Sequence, residues 1–295
     1  MRALAAFARL SRPLFLYGGF AGVALGAALA AWRGHTVDAP TYAWVQVMVT
    51  AFQLMVHYAN DYFDRDGDRD AARTAWSGGS GILADGTLPP VVGLIAAAIA
   101  GAFGAAAILR FLAGGNTTAG LLGCAMGALS WAYSAPPLRL AARGLGELDA
   151  AAVVAVLVPA AAFAAFAEDL APAIAPPLLA TGITMIAMML CVEIPDAGGD
   201  RLSGKRTLVV RLGLSLALVL LMMVVVAALA ATIGVLVSLR SLGGIAGVAA
   251  LVAGVALILC VRRDPRPATL AFWGVALYST TVTALALAYA TAPHG

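Results

Sequence analysis

Apolar stretches of about 20 residues, each long enough to cross a hydrocarbon layer of about 30 Å as an α-helix, recur along the whole chain. They fall at roughly 13–32, 41–59, 89–112, 117–135, 147–167, 173–194, 213–238, 241–261 and 268–291. This repetition constrains the fold severely, because backbone groups in lipid must find their hydrogen bonds within helices or closed barrels. Alanine, leucine, valine and glycine dominate the runs, without the ten-residue polar/apolar alternation of a membrane barrel. The expected class is therefore an all-α integral membrane protein with nine transmembrane helices. Composition agrees: 62% of residues are hydrophobic and 11% charged, whereas soluble domains carry about a quarter charged residues. Small-residue runs such as "GFAGVALGAALAA" let helix backbones approach closely where lipid provides no hydrophobic drive. A single bundle over 1–295 is expected.

Arg2 and Arg9 precede the first run, a pattern shared with cleavable secretory signals. The run is long enough to span, however, and Arg12-Pro13 opens it as a helix start. Cys124, Cys191 and Cys260 fall inside spans with no CxxC pairing, so they read as small core residues rather than a disulfide or thiolate metal framework.

Numbering the connections from the N-terminus places all Lys and Arg except Arg33, Arg110 and Arg240 on one side of the membrane, out of 18 in the chain. A miscounted span would scramble that asymmetry. The positive-inside rule then puts the N-terminus and its side in the cytoplasm and the C-terminus outside. The net charge of +3 adds little, and the chain has no basic patch with interleaved aromatics that would suit nucleic acid.

The acids share the cytoplasmic side with the bases. "NDYFDRDGDRD" follows the second span, and "EIPDAGGD" ends the sixth. Asp61, Asp64 and Asp68 sit at i, i+3 and i+7, and Glu193, Asp196 and Asp200 repeat that spacing. On a helix such offsets return to nearly one face. Like charges so placed repel, and their desolvation near a membrane is costly, so a cation is expected between them. Oxygen-only ligands suit a hard ion such as Mg²⁺, which commonly bridges carboxylates to substrate phosphates. Two such motifs facing one cavity imply a clamped diphosphate, with Arg73, Arg139, Lys205 and Arg206 available for the remaining phosphate oxygens. Asp66, Asp70 and Asp85 fall off the spaced sets and read equally well as solvated loop acids. The echo of one motif in the other divides the chain into two four-helix halves plus a ninth helix, with a central cavity open to the cytoplasm.

These residues carry a family resemblance over essentially the whole chain. "NDYFDRDGD" is similar to the first signature of the UbiA-type intramembrane aromatic prenyltransferases. "DAGGD" followed by "GKRTLVVRLG" is similar to the second, and "YSAPPLRLAARGLGEL" to the tyrosine-containing segment after the fourth span. The resemblance implies nine transmembrane helices and Mg²⁺-dependent transfer of a polyprenyl group from its diphosphate to an aromatic acceptor. "RPLFLYGG", "WSGGSGILADGTLPP" and "RGLGEL" look closest to the branch that includes 1,4-dihydroxy-2-naphthoate prenyltransferase of menaquinone synthesis. One departure is Glu193, where that branch often carries Asn.

With that resemblance, Asp61, Asp64, Asp68, Asp196 and Asp200 are assigned to Mg²⁺, directly or through water. Asn60 is assigned to orienting the diphosphate, and Lys205 and Arg139 to its oxygens, with Arg73 and Arg206 beside them. Tyr133, just before Ala135-Pro136-Pro137, suits either an aromatic face near the developing carbocation, an interaction of about 0.5–2 kcal/mol, or an ordinary interfacial anchor. Electrophilic aromatic substitution needs no strong base, which fits a chain without a His cluster or Ser/His/Asp arrangement. The glycine-rich "RTAWSGGSGILADG" suits a lid over the acids or simple turns. Other acceptors (4-hydroxybenzoate, a chlorophyll precursor, haem, a glyceryl ether phosphate), a membrane terpene cyclase and an ion-coupled transporter stay open.

Overall fold

In the computed structural model, residues 2–67, 79–241 and 243–294 are described; Asp68, Asp70, Arg73 and the rest of 68–78 lie outside them. The described residues form helices and connecting turns, with no strand among them. A short amphipathic helix α1 (Arg2–Leu10) buries Ala6 and Leu10 and stops at Ser11. Arg12 adopts a left-handed φ of 46°, and a 3₁₀ turn, Pro13–Leu16, leads into α2 (Tyr17–Trp32). Then follow α3 (Ala39–Asp64), α4 (Pro90–Ala113) and α5 (Thr117–Ala132).

The fifth expected span is one continuous rod of three pieces: α6 (Gly146–Ala150), a π-helical stretch (Ala151–Leu157) and α7 (Val158–Ala167). Pro159 has no N–H to donate into the ladder, and the wider i→i+5 pattern precedes it. After α8 (Ala175–Glu193) come two short helices, α9 (Ala197–Leu202) and α10 (Leu208–Leu212). Three long helices close the chain: α11 (Leu214–Ser238), α12 (Gly244–Arg263) and α13 (Pro267–Thr291).

Among the described residues seven helical segments are long and apolar enough to cross a membrane: Ala3–Trp32, Pro90–Ala113, Gly146–Ala167, Pro172–Glu193, Leu214–Ser238, Gly244–Arg263 and Pro267–Thr291. The chain is an integral membrane protein. Two of the nine expected spans fall short of that standard, for different reasons. α5 has only 16 residues, and α3, at 26 residues, carries Gln46, Gln53, His57, Asn60, Asp61 and Asp64.

Packing follows residue size. α7 is alanine-rich and almost wholly buried from Val158 to Ala165, pressed against α2. At that contact a Cβ on Gly26 would stand 2.3 Å from the Pro159 carbonyl oxygen, so only glycine permits the approach. α4, α11 and α12 lie at the periphery, with Ile95, Ile99 and Phe103, Leu216, Val219 and Met223, and Val248, Val252 and Val255 exposed, as lipid-facing surfaces are. Neighbour relations repeat along the chain: α3 packs on α4 and α4 on α5, as α8 packs on α11 and α11 on α12; α5 meets α7 as α12 meets α13. α3 and α8 therefore hold equivalent places, and both end in an acidic motif.

Candidate active site

Asp61 and Asp64 of the first acidic motif sit on the last turn of α3, which ends at Asp64. Asn60 and Asp64, one turn apart, are joined by a 2.7 Å hydrogen bond from Asn60 Nδ2 to Asp64 Oδ2. The same Nδ2 donates to Ser134 Oγ at 3.1 Å, fixing the α3 end to the segment after α5. Asp61, 3% exposed, accepts from Arg12 and from the Ser80 hydroxyl, and the Ser80 backbone N–H adds a contact at 3.2 Å. Arg12 and Ser80 line the cavity described below while Asp61 does not: its carboxylate lies behind them. The described half of the glycine-rich segment is docked there, with Ile82 and Leu83 buried.

The second motif is not carried by one continuous helix. α8 ends at Glu193, Ile194–Asp196 form a turn, and α9 starts at Ala197. Pro195 has no N–H and restricts the residue before it, so the i, i+3, i+7 spacing is distributed over a helix end, a turn and a second helix. The three acids still converge: Glu193, Asp196 and Asp200 all line the cavity that Asn60 and Asp64 line.

Lys205 stands between the motifs. Its Nζ lies 2.9 Å from Asp64 Oδ2 and 3.4 Å from Asp200 Oδ1, so the chain itself supplies one positive charge between the two sets. A backbone hydrogen bond from Lys205 N to Asp200 O at 2.9 Å holds the loop that presents it. Burial raises the Asp200 carboxyl above its usual range, and Lys205 pulls it back down. Among the described residues no three acids, histidines or cysteines stand close enough together to hold a metal unaided. The donor set is nevertheless all-oxygen, and a hydrated Mg²⁺ shared with phosphate needs only one or two carboxylates. Glu193 lines the same cavity, with its carboxyl beside that of buried Glu147. Asp64, Asp196 and Asp200, with Glu193 beside them, fit such an ion.

The cavity has a volume of about 590 Å³. Its polar mouth lies between the ends of α3 and α8, and its walls carry Val56, Val153, Met185, Met188 and Met189. Tyr133 caps the end of α5 and lines it as well. An adjoining outer cavity of about 440 Å³ shares Asp64, Gly67, Gly199 and Lys205 with it and adds Arg139. Of the residues singled out from the sequence, the main cavity thus gathers Asn60, Asp64, Tyr133, Asp196, Asp200 and Lys205. Arg139 reaches the outer cavity only. Arg206 is exposed and lines neither; its backbone N–H donates to Ala142 O at 2.8 Å and its carbonyl accepts from Arg211 Nε at 3.0 Å.

Sequence reasoning counted Arg12 as a topological charge and passed over Ser80, Ser134, Gln53, Asp149 and Tyr278, all of which except Ser134 line the cavity. Arg12-Pro13 was the available signal for the first, a charge at the start of a span. Gln53, Asp149 and Tyr278 lie in apolar runs where no local spacing marks them, and Ser80 and Ser134 lie in the glycine-rich and tyrosine-containing segments, which single out no individual serine.

A profile of the UbiA prenyltransferase family matches residues 20–280. The chain belongs to the UbiA prenyltransferase family. Solved structures of the family share its fold. A UbiA homolog from Archaeoglobus fulgidus bound to GPP and Mg²⁺ superposes with a TM-score of 0.71 at 16% identity, covering 97% of this chain and 99% of that one. The apo UbiA homolog from Aeropyrum pernix K1 gives 0.71 at 16% identity over 90% and 94%. A digeranylgeranylglyceryl phosphate synthase gives 0.66 at 15% identity over 99% of each chain. No curated protein sequence matches the chain. At these identities the structures establish the UbiA fold, and the branch of the family is a separate question.

Proposed function

We propose that the protein catalyses Mg²⁺-dependent transfer of a polyprenyl group from an allylic diphosphate to an aromatic acceptor. The observation that carries this reading is the meeting of both acidic motifs across Lys205 at the mouth of a cavity whose deeper walls are apolar. One end suits a metal-bound diphosphate and the other a hydrocarbon. Family membership agrees, and homologs from Archaeoglobus fulgidus hold GPP or DMAPP with Mg²⁺.

In the reaction the C1–O bond of the prenyl diphosphate breaks and its electrons leave with the diphosphate. A ring carbon of the acceptor bonds to C1, then releases its proton, or carbon dioxide where a carboxylate occupies that carbon. Bound Mg²⁺ supplies Lewis-acid neutralisation of the leaving charge. Asp64, Asp196 and Asp200 would hold the metal, with Asp68 of the first motif as a further ligand. Asp61 keeps the metal-ligand role proposed for it only if it exchanges its contacts with Arg12 and Ser80; with those contacts made, it positions Arg12. Asn60 orients Asp64 and the diphosphate. Lys205 and Arg12 present fixed positive charge to the phosphate oxygens, Arg139 does so from the outer cavity, and Arg73 and Arg206 are peripheral candidates. Tyr133 faces the allylic cation, and the Met and Val walls exclude water from it.

The segments "RPLFLYGG" and "RGLGEL" favour a 1,4-dihydroxy-2-naphthoate-like acceptor from quinone synthesis within this reading. The distribution of Lys and Arg favours nine spans, with the acidic end in the cytoplasm and the C-terminus outside. Purified protein in lipid, given Mg²⁺, geranylgeranyl or longer diphosphates and a panel of aromatic and glyceryl phosphate acceptors, should yield prenylated aromatic product by mass spectrometry. Released hydrocarbon would point to a cyclase, and ion flux without diphosphate consumption to a transporter.

A further inference from the structure

Between α1 and the 3₁₀ turn the chain breaks in a way that Pro13 alone does not dictate. Pro13 lacks an N–H and turns the residue before it away from the α region, normally toward extended backbone. Arg12 instead holds φ 46° and ψ 60°, a left-handed conformation that is costly for a residue with a Cβ. Such a conformation persists only where its surroundings over-determine it.

The end of α3 supplies the support. Phe15 N donates to Arg12 O at 3.0 Å, so the amide that a continuing helix would bring to the Ser11 carbonyl is engaged one residue further on. His57 Nδ1 stands 3.1 Å from that carbonyl oxygen; a carbonyl only accepts, so Nδ1 carries the proton and donates. The Ser11 hydroxyl meets the Phe7 carbonyl at 3.0 Å and the Tyr58 hydroxyl at 2.7 Å, and the Tyr58 ring packs on Phe7 with centroids 5.6 Å apart. Phe15 meets the His57 ring edge-on at 6.3 Å. Beyond the turn the Arg12 guanidinium reaches Asp61 and, at 3.5 Å, Asn60 Oδ1. Neighbouring residues of α3 thus grip both the backbone that precedes Arg12 and the side chain of Arg12 itself.

We propose that His57 and Tyr58 are positioning residues for diphosphate binding: they hold the Ser11–Arg12 turn, and the turn sets the Arg12 guanidinium at the polar mouth of the cavity. Arg12 lines that cavity beside Asn60 and Asp64, and Asn60, whose Oδ1 faces Arg12, turns its Nδ2 to Asp64 at 2.7 Å. An arginine on a free turn would spread over many rotamers, whereas one already held loses less freedom on meeting phosphate. Tyr58 is 5% exposed and packed in the core, so its influence passes through Ser11. The helix α1, which buries Ala6 and Leu10 on the same core, is thereby tied to the site. The inference rests on the prenyl-transfer reading, because it takes the diphosphate as the ligand of Arg12.

The test is a double-mutant cycle on the full chain in nanodiscs, read as affinity for geranylgeranyl thiodiphosphate, an unreactive donor analogue, with Mg²⁺. Arg12→Gln and His57→Ala should each weaken binding at least tenfold. In the Arg12→Gln background His57→Ala should change affinity less than twofold, since residues that act through one another are not additive. His57→Asn, whose Nδ2 takes the place of Nδ1 as donor, should stay within threefold of wild type. Tyr58→Phe removes only the hydroxyl that meets Ser11, should weaken binding at least threefold, and repeats the cycle if His57→Ala fails to fold. A second readout needs no ligand: trypsin should cut after Arg9 at least threefold faster in His57→Ala or Tyr58→Phe than in wild type. Equal weakening in both backgrounds, no rescue by Asn, or unchanged cleavage after Arg9 would overturn the proposal. Absence of Mg²⁺-dependent thiodiphosphate binding by wild type would instead overturn the prenyl-transfer reading, and the cleavage rates stay readable without it.

Discussion

Among single residues Lys205 couples the two motifs, lying within 3.4 Å of an acid from each. Its removal leaves Asp64 and Asp200 facing each other without the charge that lowers the Asp200 carboxyl. In Lys205→Met the Asp200 carboxyl rises further and needs a higher pH to ionise, so the acid limb of a pH–kcat/KM profile should move to higher pH. An unmoved limb would show that Asp200 plays no part in binding. Asp64→Asn and Asp196→Asn, with chain folding intact, should each lose ~10²-fold or more in turnover, the scale seen when a group that stabilises transition-state charge is removed. A structural prediction concerns Asn116. Its Oδ1 caps α5 through Ala119 N at 2.9 Å, and its Nδ2 donates to Ala164 O at 2.8 Å at the end of α7. Asn116→Ala should cost about 1–3 kcal/mol, read as a lowered Tm in a thermal shift. Spacing made Asp64, Asp196 and Asp200 legible in the sequence, because repeated offsets carry geometric content. Asp149 and Tyr278 were not legible, since a lone polar residue in an apolar run looks alike whether it faces a neighbour or a cavity.

At the scale of elements, the apolar runs located the helices well but not their internal breaks. The run at 147–167 reads as one plain span, yet it contains a π-helical stretch ahead of Pro159, whose Val153 and Val154 line the cavity. π-stretches occur often at functional sites, and hydropathy is blind to them. Likewise the repeated spacing of Glu193, Asp196 and Asp200 suggested one helix face, whereas Pro195 divides the motif between α8 and α9; the acids converge because the chain turns over the cavity. Close approach of α2 and α7 depends on Gly26. Gly26→Val would place side-chain atoms against the Pro159 carbonyl and the Phe163 amide, both backbone and unable to swing aside. A loss of about 1–3 kcal/mol or more is expected, visible as a lower Tm and reduced folded yield; an unchanged Tm would mean that the two helices are not held at this distance.

At the scale of the whole molecule, α3 is long enough to span but rich in polar residues, and it faces α8 across the cavity. The feature that makes α3 a weak membrane segment by composition is the one that equips it for chemistry: Gln53, Asn60 and Asp64 all line the cavity. The proposed nine-span topology, with the acidic end in the cytoplasm, predicts that reporters fused at the two termini register opposite sides of the membrane; the same side would contradict it. The motifs ending α3 and α8 are proposed to form one diphosphate clamp. Isothermal titration of geranylgeranyl thiodiphosphate into wild type, Asp64→Asn and Asp196→Asn, with Mg²⁺ and with EDTA, tests it most directly. A shared clamp requires binding by wild type only with Mg²⁺ and at least a tenfold loss in each variant; equal affinity in EDTA, or full affinity in either variant, would contradict it.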